Sequence, residues 1–199
     1  MHITTIGLDL AKNIFQVHGV TAEGEIAFNK PLRRAQMLPF FAKLEPCLIG
    51  IEACSSAHYW GRELTAFGHE VKLMPPAYVK PYVKRGKSDA ADAEAICEAV
   101  TRPTMRFVEI KSAEQQAILC QHRAREIMVG QRTQLSNTTR GLLGEFGVIV
   151  RKGLNYIRSF AADMETGIAP DLPDVAHGVI ASLCRQLLSL DVRISELGK

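Results

Sequence analysis

Two apolar runs that each end near an acid constrain the fold more than any other feature of this sequence. Residues 3–10 read ITTIGLDL and contain Asp9, and residues 47–52 read CLIGIE and end in Glu52. Short apolar runs of this kind are typical of buried β-strands. A carboxylate at the end of such a strand is costly to bury unless it is paired or binds a cation. Asp9 and Glu52 are therefore candidates for a shared polar site.

A second pair of acids opens a predicted helix. Asp89 and Asp92 follow Ser88, a residue type that favours the helix N-cap. Each acid by itself has an ordinary explanation, because the helix dipole favours acids in a first turn. Three residues apart, however, the two carboxylates lie on one helix face and repel each other unless a cation lies between them. Together with Asp9 and Glu52 they form an oxygen-only ligand set that suits Mg²⁺, and two such ions support displacement at a phosphodiester.

The order of the predicted elements indicates how these acids could meet. The patterns predict strands at Ile3–Leu10, Ile14–Val20, Glu25–Asn29, Leu48–Glu52 and Glu70–Met74, and helices at about Arg34–Leu44, at Ala57–Phe67 and after Ser88. The order β-β-β-α-β-α-β-α predicts an α/β fold of the ribonuclease H-like type, with helices flanking a mixed sheet. In that fold, acids from the first strand, the fourth strand and a later helix meet at one edge.

Residues 112–199 have a different character and predict long helices. The last helix carries an apolar stripe with alternating spacings of four and three: Ala176, Ile180, Leu183, Leu187, Leu190, Ile194 and Leu197. Such an a/d seam is typical of a coiled coil and favours a homo-oligomer, a dimer or tetramer. The alternative is packing against the predicted helix Ser112–Phe146 of the same chain. We therefore expect an α/β domain over 1–111 and a helical oligomerisation segment over 112–199.

The charge is distributed unevenly, although the net charge is only +3. Directly before the acid pair, cations alternate with aromatic residues, which suits phosphate contact and base stacking. The candidate nucleic-acid-binding residues of this basic segment are Lys80, Tyr82, Lys84, Arg85 and Lys87. The alternative interpretation is a solvated loop.

Several classes of protein are disfavoured. Five scattered cysteines without paired spacing indicate reduced thiols, and there is no recognisable signal peptide. No apolar run is expected to span a membrane, so we expect a cytoplasmic protein without a membrane partner. The histidines lack metal-binding spacing, which argues against zinc. The turn after Asp9 lacks the glycine-rich hairpin of sugar kinases and actin-like ATPases.

Three motifs resemble one family closely: GLDLAK at 7–12, IEAC at 51–54 and KSDAADA at 87–93. They are similar to the DEDD transposases of bacterial insertion sequences, relatives of the Piv DNA invertase. The resemblance implies a RuvC-like domain in which Asp9, Glu52, Asp89 and Asp92 are catalytic and hold Mg²⁺ (or Mn²⁺). It also implies DNA cleavage and strand transfer for insertion-sequence mobility, guided in some members by a structured bridge RNA.

The family also carries a C-terminal domain with a serine that attacks DNA, and the 199 residues do not contain it. We therefore expect a fragment or truncated copy whose strand exchange is incomplete by itself. Two alternatives remain open. One is a Holliday-junction-type nuclease that directs water with the same four acids, and the other is a non-catalytic nucleic-acid-binding or oligomerisation module.

Overall fold

The computed structural model describes residues 2–83 and 88–198. The chain divides into two compact units, Met1–Gln115 and Gln116–Lys199. Each unit is described by itself.

The first unit is built on a five-stranded mixed sheet. Its strands are β1 (Ile3–Asp9), β2 (Ile14–Thr21), β3 (Ile26–Arg33), β4 (Leu48–Glu52) and β5 (Glu70–Met74), in the order β3-β2-β1-β4-β5. Strands β1, β2 and β3 pair antiparallel, whereas β4 and β5 extend the sheet in parallel from β1. The predicted ribonuclease H-like α/β arrangement, a mixed sheet with flanking helices, is confirmed.

The described residues of the two units contain seven α-helices. They are α1 (Met37–Phe41), α2 (Ala57–Ala66), α3 (Pro76–Val79), α4 (Asp89–Val100), α5 (Ala113–Gly144), α6 (Leu154–Glu165) and α7 (Asp174–Glu196). Two 3₁₀ turns lie at Arg34–Gln36 and Lys80–Tyr82.

Two elements differ from the sequence prediction by three or more residues at a boundary, and the others by at most two. The predicted helix 34–44 is shorter, because its first residues form the 3₁₀ turn and the chain turns after Phe41, ahead of Pro46. Strand β3 continues past Asn29 to Arg33 although it contains Pro31. Since β3 is an edge strand, the missing proline N–H removes no bond that the sheet needs.

The two faces of the sheet have different partners. Alternate residues of β1, such as Ile6 and Leu8, pack in a core with Trp60 and Leu64 of α2. On the opposite face, helix α4 lies over β1, β2 and β4. This face includes Asp9, because the side chains of a strand alternate between its two sides.

Two glycines allow α4 to lie close to the sheet. Gly7 and Gly50 are register partners on the adjacent parallel strands β1 and β4. A Cβ atom on Gly7 would lie 2.0 Å from the carbonyl oxygen of Ala93, and one on Gly50 would lie 2.7 Å from the Cβ of Val100. Helix α4 therefore packs against bare backbone at both positions, and a side chain at Gly7 would meet main-chain atoms that cannot rotate away.

The second unit is a helical assembly with its own core. Ile180 and Leu187 of α7 pack there with Ile157 of α6 and Leu143 of α5. The predicted seam of α7 is thus buried largely within its own chain, as in the alternative of intramolecular packing. The sequence prediction did not include α6. Gly153 stands immediately before this helix and Gly167 just after its end.

Among the described residues, α7 is the one helix that is long and apolar enough to cross a membrane, by length and composition only. This is weak evidence, because the core helix of a soluble protein passes the same test. In the structure, one face of α7 packs in the helical core. Asp191 of α7 also forms ion pairs with Arg132 and Arg158.

We predict that Gly7→Ala lowers the free energy of unfolding by about 2 kcal/mol, because the added methyl group meets backbone atoms of α4. Urea denaturation measures the change. Gly130→Ala is the control: its Cβ would meet nothing within 4 Å in the middle of α5, and we expect a gain of about 0.5–1 kcal/mol. A Gly7→Ala variant as stable as wild type would contradict the close packing of α4.

Candidate metal centre

The sheet brings two of the predicted acids to the carboxyl ends of two adjacent strands. Asp9 ends β1 and Glu52 ends β4, and these adjacent parallel strands have Leu8 opposite Ile51. The next residue on each strand is an acid, so Asp9 and Glu52 lie at the carboxyl ends of the two strands and on the same face of the sheet. Adjacent strands lie about 5 Å apart, which places the two carboxyl groups in one neighbourhood.

Helix α4 brings the other two acids to the same end of these strands. Ser88 caps the helix, and its hydroxyl oxygen accepts a hydrogen bond from the N–H of Ala91 at 3.3 Å. The predicted N-cap is therefore confirmed. Asp89 and Asp92 occupy the first turn, and Ala93 directly after them lies over Gly7. The close approach at Gly7 therefore also fixes the position of the acid pair.

Three of the four carboxylates converge. One oxygen from each of Asp9, Asp89 and Asp92 lies within 4.8 Å of the others. Asp9 and Asp92 are half-buried, and Asp89 is exposed. Within residues 2–83 and 88–198, no other group of three or more acids, histidines or cysteines is as close. Glu52 lies outside this group.

The electrostatics show that the acids act on one another. The pKa of Asp9 rises from its ordinary value of 3.8 to about 6, first because of burial and then because of the charges of Asp92, Asp89 and Glu52. The pKa of Glu52 is also raised, by burial and then by Asp92. Glu52 therefore belongs to the same electrostatic cluster, although its oxygens lie outside the close group. Such an accumulation of like charge favours a bound cation.

Two polar residues beside the acids were not predicted from the sequence. Gln16 of β2 is the register partner of Asp9, and its amide donates a hydrogen bond to the side-chain oxygen of Asn29 at 2.6 Å. Asn29 in turn donates to the carbonyl oxygen of Ala90 at 3.5 Å, which connects β3 to the first turn of α4. The only sequence signal was their strand periodicity, which places Gln16 and Asn29 on the face that carries Asp9.

The basic segment is described only in part. Lys80 is exposed in the 3₁₀ turn. Tyr82 is half-buried, and the guanidinium carbon of Arg102 lies 5.8 Å from its ring centre. The other predicted contact residues, Lys84, Arg85 and Lys87, lie outside the described residues.

Comparisons with known proteins agree with this arrangement. The model of the IS110-type DEDD transposase family, described as "Transposase", matches residues 6–147. The chain is 50% identical over 203 residues to a protein of Pseudomonas aeruginosa named "Probable family 20 transposase", an alignment that covers 99% of this chain and 59% of that protein. It is 36% identical over 194 residues to the transposase for insertion sequence element IS1328 of Yersinia enterocolitica, with 96% of this chain and 58% of the relative covered.

A third relative is the transposase for insertion sequence element IS1111A of Coxiella burnetii. It is 39% identical over 198 residues, which cover 98% of this chain and 53% of the relative. The chain therefore spans between 53% and 59% of the length of these three relatives. The family match covers well over half of the chain and includes the strand and helix that carry the converging acids. The chain belongs to the DEDD transposase family of bacterial insertion sequences.

Proposed function

We propose that this chain contains the acid site of a DNA transposase that cleaves and transfers DNA strands during insertion-sequence mobility. In this proposal Asp9, Glu52, Asp89 and Asp92 bind Mg²⁺ or Mn²⁺. The observation that carries it is the convergence of three carboxylates, from β1 and from the first turn of α4, within 4.8 Å.

The residues present suit a hard divalent cation. The cluster offers carboxylate oxygens, the ligands that Mg²⁺ and Mn²⁺ prefer, and contains no nitrogen or sulfur ligand. Burial and, after it, the charges of Asp92, Asp89 and Glu52 raise the pKa of Asp9, so these acids destabilise its ionised form. A cation at the cluster would relieve this repulsion, so binding and ionisation of the site support each other.

The acids have different environments, which suggests a division of roles. Asp9, whose pKa is raised by burial and by the charges of all three other acids, is proposed as the shared ligand, and Glu52 and Asp92 would complete the set. Asp89 is exposed and can accept a hydrogen bond from an attacking water or hydroxyl group. When bound, the divalent ions stabilise charge on the attacking and leaving oxygens of the phosphodiester.

The proposed substrate is DNA, and the supporting features are the family and the basic segment before α4. Lys80 is exposed and available to a phosphate. The resemblance of the motifs extends the proposal to a structured guide RNA and to a homo-oligomer assembled through the helical unit. Because the proposed substrate is bacterial DNA, the proposed location of the protein is the cytoplasm.

We predict that Asp9→Asn abolishes Mg²⁺-dependent cleavage of supercoiled or branched DNA. Loss of one electrostatic stabiliser of a transition state typically costs about 10²–10³ in rate. Glu23→Gln is the control, because Glu23 lies in the turn at the opposite end of the sheet. Gel analysis of the products measures cleavage and separates strand joining from simple hydrolysis by a junction nuclease.

The outcomes of this experiment separate the hypotheses. Cleavage by Asp9→Asn at the wild-type rate would remove Asp9 from the site. DNA binding without any cleavage by wild type would instead favour the non-catalytic module.

Asp9 also predicts a pH dependence of stability. In the metal-free chain its pKa is about 6, against an ordinary value of 3.8. Between these values the folded state binds more protons than the unfolded state, so the free energy of unfolding falls as the pH rises through this window. Asp9→Asn removes that loss and is expected to melt at a higher temperature than wild type above about pH 6.

Thermal unfolding with and without Mg²⁺ tests this pH prediction. Mg²⁺ should raise the melting temperature of wild type at neutral pH, because a ligand of the folded state stabilises it, and should leave Asp9→Asn unchanged. A wild-type protein that gains stability relative to the variant between about pH 4 and 6 would contradict the prediction.

A last prediction concerns the basic segment. Replacing Lys84, Arg85 and Lys87 by alanine should weaken DNA affinity and make the slope of log K against log salt shallower by up to about three. Lys80→Ala should have a smaller effect of the same kind. Lys43→Ala, an exposed lysine distant in sequence, is the control. Fluorescence anisotropy at several salt concentrations measures the slope, and an unchanged slope would mean that the segment does not contact phosphate.

A further inference from the structure

The helical unit contains a cleft that is lined mainly by polar residues. One wall is a stripe of α5 made of Arg132, Thr133, Ser136, Asn137 and Arg140. The start of α6, at Gly153 and Leu154, closes the other side, and the cleft has a volume of about 260 Å³. Its lining holds two arginines, two hydroxyl groups and an amide, and no acid.

The charges around the cleft leave an excess of positive charge. Arg132 donates to a carboxylate oxygen of Asp191 at 2.7 Å, and Arg158 donates to the same oxygen at 2.7 Å. Two arginines thus share a single carboxylate. Burial alone would raise the pKa of Asp191, but the hydrogen bonds from Arg158 and Arg132 outweigh it and hold that pKa below its usual value. Asp191 therefore stays ionised, and one of the two cations remains uncompensated.

Arg140 supplies a second uncompensated charge. Its guanidinium donates to the carbonyl oxygens of Arg151 at 3.2 Å and Gly153 at 2.7 Å, and to the side-chain oxygen of Asn137 at 3.4 Å. All three acceptors are neutral, and no carboxylate of the described residues forms an ion pair with Arg140. A guanidinium has five N–H donors, so two remain available. The loop contacts hold the charge at a fixed place in the cleft.

We propose that this cleft binds a backbone phosphate of DNA. The inference rests on the proposed DNA substrate, and it adds a contact in the helical unit to those of the acid site. The hydroxyl groups of Thr133 and Ser136 donate to backbone carbonyls of α5, so the donors that face a ligand are those of the arginines and of Asn137. Fixed guanidinium donors suit a phosphate, because arginine presents several donors to its oxygens in a planar fork. The preceding loop adds Arg151 and Lys152, both exposed.

A purely structural role for Arg140 is the competing explanation, since its two carbonyl contacts brace the connection between α5 and α6. Substituting Arg140 itself would remove these contacts and leave the two roles unresolved. Asn137→Asp avoids this problem: it places a carboxylate beside Arg140 and neutralises the charge while the loop contacts remain. Thr133→Glu adds a negative charge at the rim of the cleft.

Thr138→Glu is the matched control for Thr133→Glu. It makes the same substitution on the same helix, at an exposed position about 140° around the helix axis and outside the cleft. All three variants lower the net charge by the same amount. Any difference between them therefore reports the cleft and not the total charge.

The test is a fluorescence anisotropy titration of the full chain with a short mixed-sequence DNA duplex, without divalent cations so that no cleavage occurs. Thr133→Glu and Asn137→Asp should each weaken DNA affinity by about tenfold, the typical effect of losing one charge-assisted hydrogen bond. The slope of log K against log salt should become shallower by about one. Thr138→Glu should bind like wild type, and Asn137→Asp should not melt at a lower temperature.

The result that overturns the proposal is equal DNA affinity for the two cleft variants and Thr138→Glu. The absence of DNA binding by wild type, or a loss confined to an RNA hairpin used in place of the duplex, overturns it as well. The acid site is tested separately by Asp9→Asn. Cleavage lost in that variant while the cleft variants bind normally refutes the cleft alone, and the opposite pattern refutes the acid site alone.

Discussion

The contact between α4 and bare backbone at Gly7 and Gly50 is the constraint on which the rest of the first unit depends. Elements that pack through side chains stand about 8–10 Å apart, whereas here the carbonyl oxygen of Ala93 in α4 lies 2.0 Å from the point where a Cβ atom of Gly7 would be. This brings the first turn of α4 to the strand end where Asp9 emerges. The acids gather because of a packing feature that itself contains no acid. The two glycines are therefore as necessary for the arrangement of the site as its carboxylates.

The same arrangement makes the folded chain electrostatically unfavourable at one place. One oxygen from each of three carboxylates lies within 4.8 Å of the others, and burial together with the neighbouring charges raises the pKa of Asp9. The hydrophobic core around Phe15, Ile49 and Trp60, on the other face of the sheet, provides the stability that tolerates it. A group of like charges held together by an apolar core is typical of sites whose residues serve function at the expense of stability.

Much of the first unit could be predicted from the sequence, because its signals are local. The apolar runs of β1 and β4, the Ser88 cap and the spacing of Asp89 and Asp92 each depend on a few neighbouring residues. Membership of Asp9, Asp89 and Asp92 in one cluster followed from the element order and the resemblance. The close group excludes Glu52, and no local pattern could show this, since it depends on how two strands and a helix lie in space.

Other features depend on tertiary context, which the sequence alone could not decide. The apolar stripe of α7 has the same spacing whether its partner is another chain or another helix, so the sequence could not identify α6 as that partner. Helix α6, which has a glycine near each of its ends, was not predicted. The Gln16–Asn29–Ala90 connection depends on strand register, which a single sequence does not reveal.

The topology has a consequence for the time at which the site comes into existence. Strand β1 is made first but lies in the middle of the sheet, and its partners β4 and α4 come much later along the chain. During synthesis, Asp9 leaves the ribosome long before Asp89 and Asp92 are available. A nascent chain that ends before α4 carries Asp9 and Glu52 but lacks Asp89 and Asp92. The four acids can therefore come together only after the whole first unit has been translated and α4 has docked on its glycines.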